Sequence, residues 1–278
     1  MSESPRQLLE RLGIEAKKSL GQNYMVEPHM LERLAEAAQV GTEDTVLEIG
    51  PGLGALTDVL AERAGRVIAL EIDERMVPFL QQRYQDAAQV EIVQGDILHV
   101  DLTTLLGPNV RHYKVCANLP YYITSPIIRL LLEHEHPPQT LAITVQYEVA
   151  QRITAKPGDM SLLAVGVQIY GQPRIEARLK PGVFYPRPNV DSAIVQITPH
   201  AEQLIAPEQR SSFFRIVRAG FSQPRKQLKN TLSSGLPPVA NAAHSWLEQA
   251  GIDPRRRAET LSIDEWLRLY QFRPSALL

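Results

Sequence analysis

The decapeptide TVLEIGPGLG, residues 45–54, decides the fold of this 278-residue chain. Its first half, Thr45–Ile49, is a short apolar run that predicts a buried strand, and the glycines that follow predict a turn. Glycines in such a turn adopt unusual backbone dihedrals and let a ligand approach the main chain closely. Ala55–Arg63 then has a helical pattern, so the stretch predicts one strand–turn–helix repeat of an α/β sheet.

The same alternation continues through the first half of the chain. Because strands separated by helices pair in parallel, we predict a doubly wound α/β domain. Ligands bind at the carboxyl ends of such strands, where this chain carries Gly50, Glu71, Asp96 and Asn118. The further predicted strands are residues 66–72, 90–93, 113–117 and 140–147, and the predicted helices are residues 74–84 and 125–132.

In the second half of the chain the pattern changes. Residues 161–170 and 190–198 predict two long strands joined by the Pro-rich segment 180–188, which indicates an antiparallel edge. Short helices follow and predict a small helical domain, so we expect two domains, residues 1–200 and residues 201–278. The predicted helices are residues 207–218, 225–233, 244–249 and 263–270.

Composition limits the classes of protein that this chain can represent. The net charge is −2, the one cysteine is Cys116, and no apolar run approaches the ~20 residues of a membrane helix. The first residues have no apolar segment typical of a signal peptide, and the seven histidines show no metal-ligand spacing. We therefore expect a cytoplasmic protein without a metal site or a membrane partner, and we expect a monomer.

Charge is distributed unevenly along the chain. Residues 31–110 carry 14 acidic and 5 basic side chains, whereas residues 171–230 carry 10 basic and 4 acidic ones. A solvated helix face usually explains a basic run, but six positive charges without an acid between residues 210 and 229 favour contact with phosphates. The six are Arg210, Arg215, Arg218, Arg225, Lys226 and Lys229, and weaker candidates are Lys17, Lys18, Arg255, Arg256 and Arg257.

The glycine-rich turn also indicates which ligand binds there. A dinucleotide fold has the spacing G-x-G-x-x-G, whereas Gly50 and Gly52 begin the spacing G-x-G-x-G. Glu48 just upstream is unfavourable beside a pyrophosphate and suits S-adenosylmethionine, which carries a sulfonium and an ammonium. Glu71 can accept from ribose hydroxyls of NAD and S-adenosylmethionine alike. Asp96 can accept from the adenine amine of the cofactor, and the pattern Gln94-Gly95-Asp96-Ile97 favours the methyl donor. Three acids at three successive strand ends, together with the glycine turn, argue against a purely structural role for them.

The residues Asn118, Leu119, Pro120 and Tyr121 follow the fourth strand and carry groups that can activate an adenine amine. That amine is a poor nucleophile because its lone pair is delocalised into the ring. The Asn118 side-chain oxygen and a main-chain carbonyl beside Pro120 can accept from its hydrogens, and Tyr121 offers a face for stacking. Taken alone, the four residues are more typical of an ordinary strand-to-turn exit.

Several motifs in register resemble those of the ribosomal RNA adenine dimethylases, specifically the small-subunit type. Residues 17–25, KKSLGQNYM, are similar to the family's K-x-x-x-G-Q-N-F-L signature, with Tyr-Met in place of Phe-Leu. The glycine turn, Gly95-Asp96, the Asn-Leu-Pro-Tyr element, residues 184–192 (FYPRPNVDS) and residues 219–226 (AGFSQPRK) follow in the family's order. Pro224 stands where the family usually has a basic residue.

The resemblance implies a class I S-adenosylmethionine-dependent methyltransferase domain, Rossmann-like with a mostly parallel seven-stranded sheet, followed by an all-helical domain that binds RNA and the ribosome. It implies dimethylation of two adjacent adenosines near the 3′ end of small-subunit (16S) rRNA, in assembling 30S subunits. Segment 1–44 is expected to contribute to the cofactor site.

The resemblance also implies roles for individual residues. Phe184 gains a role as a second aromatic face against the target adenine, with a hydrophobic plug as the alternative. The catalytic positions are Asn118, Leu119, Pro120 and Tyr121; the cofactor positions are Asn23, Met25, Gly50, Gly52, Glu71, Asp96 and Asn118; the substrate positions are Tyr121, Phe184, Arg218, Arg225, Lys226 and Lys229.

Three other functions remain open from the sequence. A large-subunit rRNA adenine methyltransferase of the resistance type shares the fold and an Asn-Leu-Pro-Tyr-like element, but residues 184–192 and 221–226 favour the small-subunit type. A non-enzymatic assembly or transcription factor with a retained methyltransferase fold would have a degraded glycine turn or a broken Asn118 element, and both are intact. An NAD-dependent oxidoreductase would need a third glycine at another spacing and an acid–base pair.

Overall fold

A computed structural model describes residues 4–14 and 22–277 of the chain. The described residues form two compact units. The first unit contains the residues up to Ala150 together with Pro173–Pro199, and the second contains Gln151–Gln172 and the chain from His200 onward. Lys17, Lys18 and the first residues of the N-terminal signature up to Gly21 lie outside the described residues.

The described strands form two sheets, and the larger one has seven strands. Its order is β4-β3-β2-β5-β6-β9-β7, while β1 and β8 pair by themselves. The strands are β1 (Tyr24–Met25), β2 (Thr45–Ile49), β3 (Arg66–Glu71), β4 (Val90–Gln94), β5 (Lys114–Ala117), β6 (Thr140–Gln146), β7 (Gly171–Leu179), β8 (Phe184–Tyr185) and β9 (Ser192–Pro199).

Most pairs in the large sheet are parallel. β2 pairs in parallel with β3 and β5, β3 with β4, and β5 with β6, whereas β9 runs antiparallel to β6. The predicted mostly parallel, seven-stranded sheet is therefore confirmed. Because the carboxyl ends of parallel strands meet at one edge, the residues that follow β2, β3 and β5 come to the same edge.

Helices of the first unit cover the sheet, which explains why its central strands, such as β2, β3 and β6, are continuous apolar runs rather than alternating ones. β6, for example, is buried along its whole length except at Gln146. The predicted helix at 74–84 begins later, with Pro78 in its first turn. The helices are α1 (Pro5–Leu12), α2 (Pro28–Ala37), α3 (Ala55–Arg63), α4 (Val77–Arg83), α5 (Leu102–Leu106), α6 (Thr124–Glu133) and α7 (Tyr147–Ile153), which continues into the second unit.

The prediction of a strand at residues 161–170 is wrong, because this segment is a helix, α8 (Leu162–Gln168). A short apolar run fits a buried helix as well as a strand. Here Ser161 caps the helix, since its hydroxyl accepts a hydrogen bond from the Ala164 N–H at 3.1 Å. The edge strand is β7 instead, and residues 151–172, which we assigned to the first domain, fall in the second unit.

The rest of the second unit is helical, as predicted. Its core contains Phe213, Trp246 and Trp266, and the Trp246 indole N–H donates to the Leu269 carbonyl at 2.8 Å. The helices are α9 (Arg210–Gly220), α10 (Leu228–Gly235), α11 (Ala243–Gln249) and α12 (Ile263–Gln271). Within the described residues, no helix combines the length and the apolar composition needed to cross a membrane.

Candidate active site

The glycine turn after β2 has the backbone conformation that its sequence predicts. Gly50, Gly52 and Gly54 have φ angles of 73°, 56° and 84°, in the left-handed region where a side chain is strained. At Gly52 the space is also closed, because a Cβ atom there would lie 2.8 Å from Cε1 of Tyr24. The turn thereby aims the Gly52 N–H at the carboxylate of Glu71.

Glu71 ends β3 with its carboxylate buried beside the turn. Oε2 accepts from the Gly52 N–H at 2.9 Å, and Oε1 accepts from the Asp73 N–H at 2.8 Å. The residue is 4% exposed, and burial raises the pKa of its carboxyl. Each oxygen keeps a further lone pair, so ligand hydroxyls could donate to it and would favour its charged form.

Glu48 is a second buried acid, on β2 directly before the turn. The Thr57 hydroxyl donates to its Oε2 at 2.7 Å, and burial raises the pKa of the Glu48 carboxyl to about 8. The side chain lines a cavity that it shares with Met25, Gly50 and Asn118. A cationic ligand in this cavity would stabilise the ionised carboxylate, whereas a pyrophosphate would not.

Asn118 follows β5, and hydrogen bonds hold its side chain at both ends. Its Nδ2 donates to the Asn23 main-chain carbonyl at 2.8 Å, and its Oδ1 accepts from the Thr144 hydroxyl at 2.5 Å. Asn23 directly precedes β1, and Thr144 is fully buried in β6. The N-terminal signature and the middle of the sheet therefore meet at Asn118.

The two main-chain carbonyls beside Pro120 differ in their partners. The Pro120 carbonyl accepts from the Ile123 N–H at 3.3 Å and from the Thr124 hydroxyl at 3.2 Å, where α6 begins. Among the residues that the structure describes, none donates a hydrogen bond to the Leu119 carbonyl. The Leu119 carbonyl is thus the acceptor that remains available to a ligand amine.

Tyr121 begins a 3-10 turn, Tyr121–Ile123, and is half-buried. Its hydroxyl lies 2.6 Å from Oγ of Ser192, the first residue of β9. Burial raises the pKa of the Tyr121 hydroxyl above its ordinary value. The position of the ring is therefore fixed from its hydroxyl end.

Most of these groups line one open cleft at the carboxyl edge of the sheet. The cleft brings together most of the predicted site residues, while Met25 lines the neighbouring cavity that contains Glu48. The sequence analysis missed Ile72, an apolar side chain that is 47% exposed. The only signal for it was its position directly after Glu71. The lining residues are Gln22, Asn23, Tyr24, Gly50, Gly52, Glu71, Ile72, Asn118, Leu119, Pro120 and Tyr121.

Two residues that were predicted to contact an adenine line neither the cleft nor the neighbouring cavity. Asp96 accepts a hydrogen bond from the Leu98 N–H at 2.9 Å and lies 2.8 Å from Nδ1 of His99. Phe184 is 2% exposed and packs in the same apolar cluster as Met25, as the hydrophobic-plug alternative expects. Contact of either side chain with an adenine stays a prediction.

In the second unit, two groups of predicted basic residues differ in their partners. Arg218, Arg225 and Lys226 are exposed and Lys229 is half-buried, and none of the four has a carboxylate within 4.0 Å among the residues described. Arg225 and Lys226 lie in the turn between α9 and α10 rather than on the predicted helix. By contrast, each residue of the second group, Arg255, Arg256 and Arg257, is paired with an acid: Asp253, Glu265 and Glu259 respectively.

The seven-stranded sheet, with β9 antiparallel beside β6 and the glycine turn after β2, is the fold of class I S-adenosylmethionine-dependent methyltransferases. A 23S rRNA methyltransferase, ErmE, has this fold with a TM-score of 0.72 and 27% identity, over 90% of this chain and 99% of that one. A dimethyladenosine transferase from Plasmodium falciparum gives a TM-score of 0.74 and 25% identity, over 88% and 95%.

The chain belongs to the ribosomal RNA adenine dimethylase family, whose model matches residues 13–273. Proteins named ribosomal RNA small subunit methyltransferase A from Dehalococcoides mccartyi and Pelotomaculum thermopropionicum are each 42% identical to it. The first match covers 95% of this chain and 90% of the relative, and the second covers 94% and 92%. A protein of the same name from Bacillus mycoides is 38% identical over 95% and 93%. The family predicted from the motifs is therefore confirmed.

Proposed function

We propose that this chain is an S-adenosylmethionine-dependent enzyme that dimethylates the exocyclic amines of two adjacent adenosines near the 3′ end of small-subunit (16S) rRNA. It acts as a monomer on assembling 30S subunits in the cytoplasm. The observation that carries the proposal is its identity of 38–42% to proteins named ribosomal RNA small subunit methyltransferase A. The 23S rRNA methyltransferase shares the fold at lower identity, 27%, so the fold alone does not choose between the two RNAs.

The acids of the cleft and of the neighbouring cavity fit S-adenosylmethionine. Glu71 is held by two main-chain donors and has lone pairs free for ribose hydroxyls, while buried Glu48 suits a cationic group. In the proposal, Asp96 accepts from the adenine amine of the cofactor. The remaining cofactor positions are Asn23, Met25, Gly50, Gly52 and Asn118. When bound, S-adenosylmethionine supplies a methyl group that leaves its S–C electron pair on sulfur and bonds to the lone pair of the target amine.

The protein's own part in the reaction is to orient the target amine and localise its lone pair. In the first transfer, Asn118 Oδ1 and the Leu119 carbonyl accept one hydrogen bond each from the two amine hydrogens, which favours a pyramidal nitrogen. In the second transfer, the one remaining hydrogen is donated to one of these two acceptors. No strong base is needed, because the amine loses its proton to water only after it has become cationic. Tyr121 stacks on the adenine, and Phe184 supplies the opposite face once its ring leaves the apolar cluster.

RNA binding falls to the basic residues of the second unit that have no acidic partner. Arg218, Arg225, Lys226 and Lys229 contact phosphates of the RNA backbone, which position the substrate without reading its sequence. The paired arginines 255–257 are largely neutralised by their own acids and contribute less.

The decisive test uses unmethylated small and large ribosomal subunits with labelled S-adenosylmethionine, followed by mapping of the modified bases. We expect label in the small subunits only, as dimethyladenosine at two adjacent positions near the 3′ end of the rRNA. Label in the large subunits would favour the resistance-type alternative. Binding of S-adenosylmethionine without any transfer would favour a non-enzymatic assembly factor.

A further inference from the structure

Two buried hydroxyl groups lie behind the Asn118–Tyr121 element, on neighbouring strands of the sheet. Thr144 is in β6 and Ser192 begins β9, and neither residue is exposed to solvent. The strands are antiparallel, with Thr144 opposite Ile194 and Ser192 opposite Gln146. Opposite residues, and residues two apart on one strand, share a face. Both hydroxyls therefore point to the same side of the sheet.

The Asn23 carbonyl and the Thr144 hydroxyl together hold the Asn118 amide in one orientation. The Asn23 main-chain carbonyl can only accept a hydrogen bond, so the NH2 end of the amide must face Asn23. The oxygen end then faces Thr144, whose hydroxyl donates to it at 2.5 Å. One lone pair of Oδ1 is used by this bond, and the second remains for an amine in the cleft.

Such a holding group is needed because the last torsion of an asparagine side chain has a broad, roughly two-fold energy profile. Packing alone holds an amide weakly against rotation, since its nitrogen and oxygen have almost the same size. A hydroxyl on one side and a carbonyl on the other remove this freedom. Loss of the Thr144 donor would leave the Oδ1 direction set only by the bond from Nδ2 to Asn23.

The Ser192 hydroxyl has the equivalent relation to Tyr121. Its Oγ lies 2.6 Å from the phenol oxygen, and the serine side chain is buried at the first residue of β9. A half-buried ring that must stack on a base gains from being fixed at its far end, because less rotational freedom is lost on binding.

We propose that Thr144 and Ser192 are positioning residues for adenine methylation, a role that rests on the proposed function. Thr144 orients the acceptor oxygen of Asn118 toward the target amine. Ser192 orients the ring of Tyr121 against the target base. Neither residue lines the cleft described above, and both act through a neighbour.

The test for Thr144 compares Thr144→Val, which keeps the shape and loses the hydroxyl, with Thr144→Ser, which keeps the hydroxyl and loses a methyl. We expect Val to lower kcat on small subunits by roughly 10–100-fold, the range seen when groups that orient metal ligands are removed. KM for the subunits and Kd for S-adenosylhomocysteine should change by less than about threefold, and Ser should restore most of the turnover. If Thr144 acts only through packing, the order is reversed: Thr144→Val should be active and Thr144→Ser should be impaired. That outcome would overturn the proposal.

For Ser192, the test is a double-mutant cycle with Tyr121→Phe, since both changes remove the same hydrogen bond. If the hydrogen bond between the two hydroxyls positions the ring, Ser192→Ala and Tyr121→Phe should each lower kcat by a similar factor. The double variant should then show no larger decrease in kcat than either single variant. Losses that multiply in the double variant would show that the two hydroxyls act independently, contrary to the proposal.

A measurement on the free protein separates this proposal from the proposed function. The ¹⁵N relaxation of the Asn118 side-chain NH2, assigned with Asn118→Asp, should show a rigid amide in the wild type and in Thr144→Ser. It should show a mobile amide in Thr144→Val. An equally rigid amide in all three proteins contradicts the role of Thr144, whatever the RNA substrate. If the amide mobilities are as expected but the wild type transfers no methyl group, only the proposed function is contradicted.

Discussion

The cleft of the first unit and the basic residues of the second unit hold their polar groups in opposite ways. In the cleft, Glu71 and Asn118 each form hydrogen bonds to the protein at two atoms. In the second unit, Arg225 and Lys226 are exposed and have no carboxylate within 4.0 Å among the described residues. A side chain that must contact one particular atom of the ligand is fixed by hydrogen bonds before the ligand binds. A cation that contacts the phosphates of a polyanion is not fixed in this way.

The difference predicts different kinds of response to substitution. A change at a held group of the cleft should lower turnover steeply, because alignment of the reacting atoms is lost. A change at an exposed cation should weaken the affinity for RNA by a moderate factor that depends on salt, because each phosphate contact contributes separately to binding.

The largest effect is expected for Asn118→Ala. Removal of one preorganised hydrogen-bonding group should lower kcat by roughly 10²–10³. Single turnovers on small subunits at saturating S-adenosylmethionine measure this, and Asn109→Ala, an exposed asparagine of the same unit, is the matched control. Near-normal turnover in Asn118→Ala, with the cofactor still bound, would rule out the assigned role.

A smaller effect is expected for the double variant Arg225→Ala and Lys226→Ala. Loss of two phosphate contacts should raise Kd for the RNA by about 10-fold and reduce the slope of log K against log salt by roughly 1.5. The control with the same change in charge is Arg255→Ala with Arg257→Ala, because both of these arginines are paired with acids. RNA binding measured across salt concentrations should give different slopes of log K against log salt for the two double variants. Equal slopes would contradict the distinction between the unpaired and the acid-paired basic residues.

The third prediction concerns Glu48 and pH. Burial raises the pKa of its carboxyl from 4.5 to about 8, so between these values the folded protein keeps a proton that the unfolded chain has lost. Stability should therefore fall as pH rises through this window, with a slope of up to roughly 1.4 kcal/mol per pH unit from this one group. Glu48→Gln, which stays neutral, should lose that slope.

Urea unfolding of the wild type and of Glu48→Gln at several pH values between 5 and 8 measures the difference. The exposed Glu62→Gln serves as the control and should behave like the wild type. Identical pH dependence in the wild type and in Glu48→Gln would show that Glu48 ionises normally in the folded protein.

Much of the first unit could be predicted from local sequence, because the signals that specify it are local. The apolar run Thr45–Ile49 and the positive φ angles of its glycines follow from residues next to one another in the chain. The prediction for segment 161–170 failed because a short apolar run fits a buried helix as well as a strand. The hydroxyl of Ser161, which caps the helix, was the local signal that favoured the helix.

The contacts that orient the site could not be predicted, because they depend on which strands are neighbours. Thr144 reaches Asn118 only because β6 lies next to β5, and Ser192 reaches Tyr121 only because β9 lies next to β6. Neither Thr144 nor Ser192, the last residue of the motif 184–192, carries a local signal of such a bond. The same holds for Tyr24, whose surroundings come from the glycine turn and from α-helical residues far along the chain.

The smallest effect is expected at Tyr24, where the family usually has phenylalanine. Its hydroxyl is buried without a hydrogen-bond partner in the part of the chain that the structure describes, and such a group costs about 1 kcal/mol or more. Tyr24→Phe should therefore raise the free energy of unfolding by about 1 kcal/mol. Tyr84→Phe should lower it by a similar amount, because the Tyr84 hydroxyl lies 2.7 Å from both the Gly54 carbonyl oxygen and Asp58 Oδ1. Urea unfolding of both variants and of the wild type at one pH measures these changes. If both substitutions lowered the free energy of unfolding, the Tyr24 hydroxyl would have a hydrogen-bond partner, like the other polar groups of the cleft.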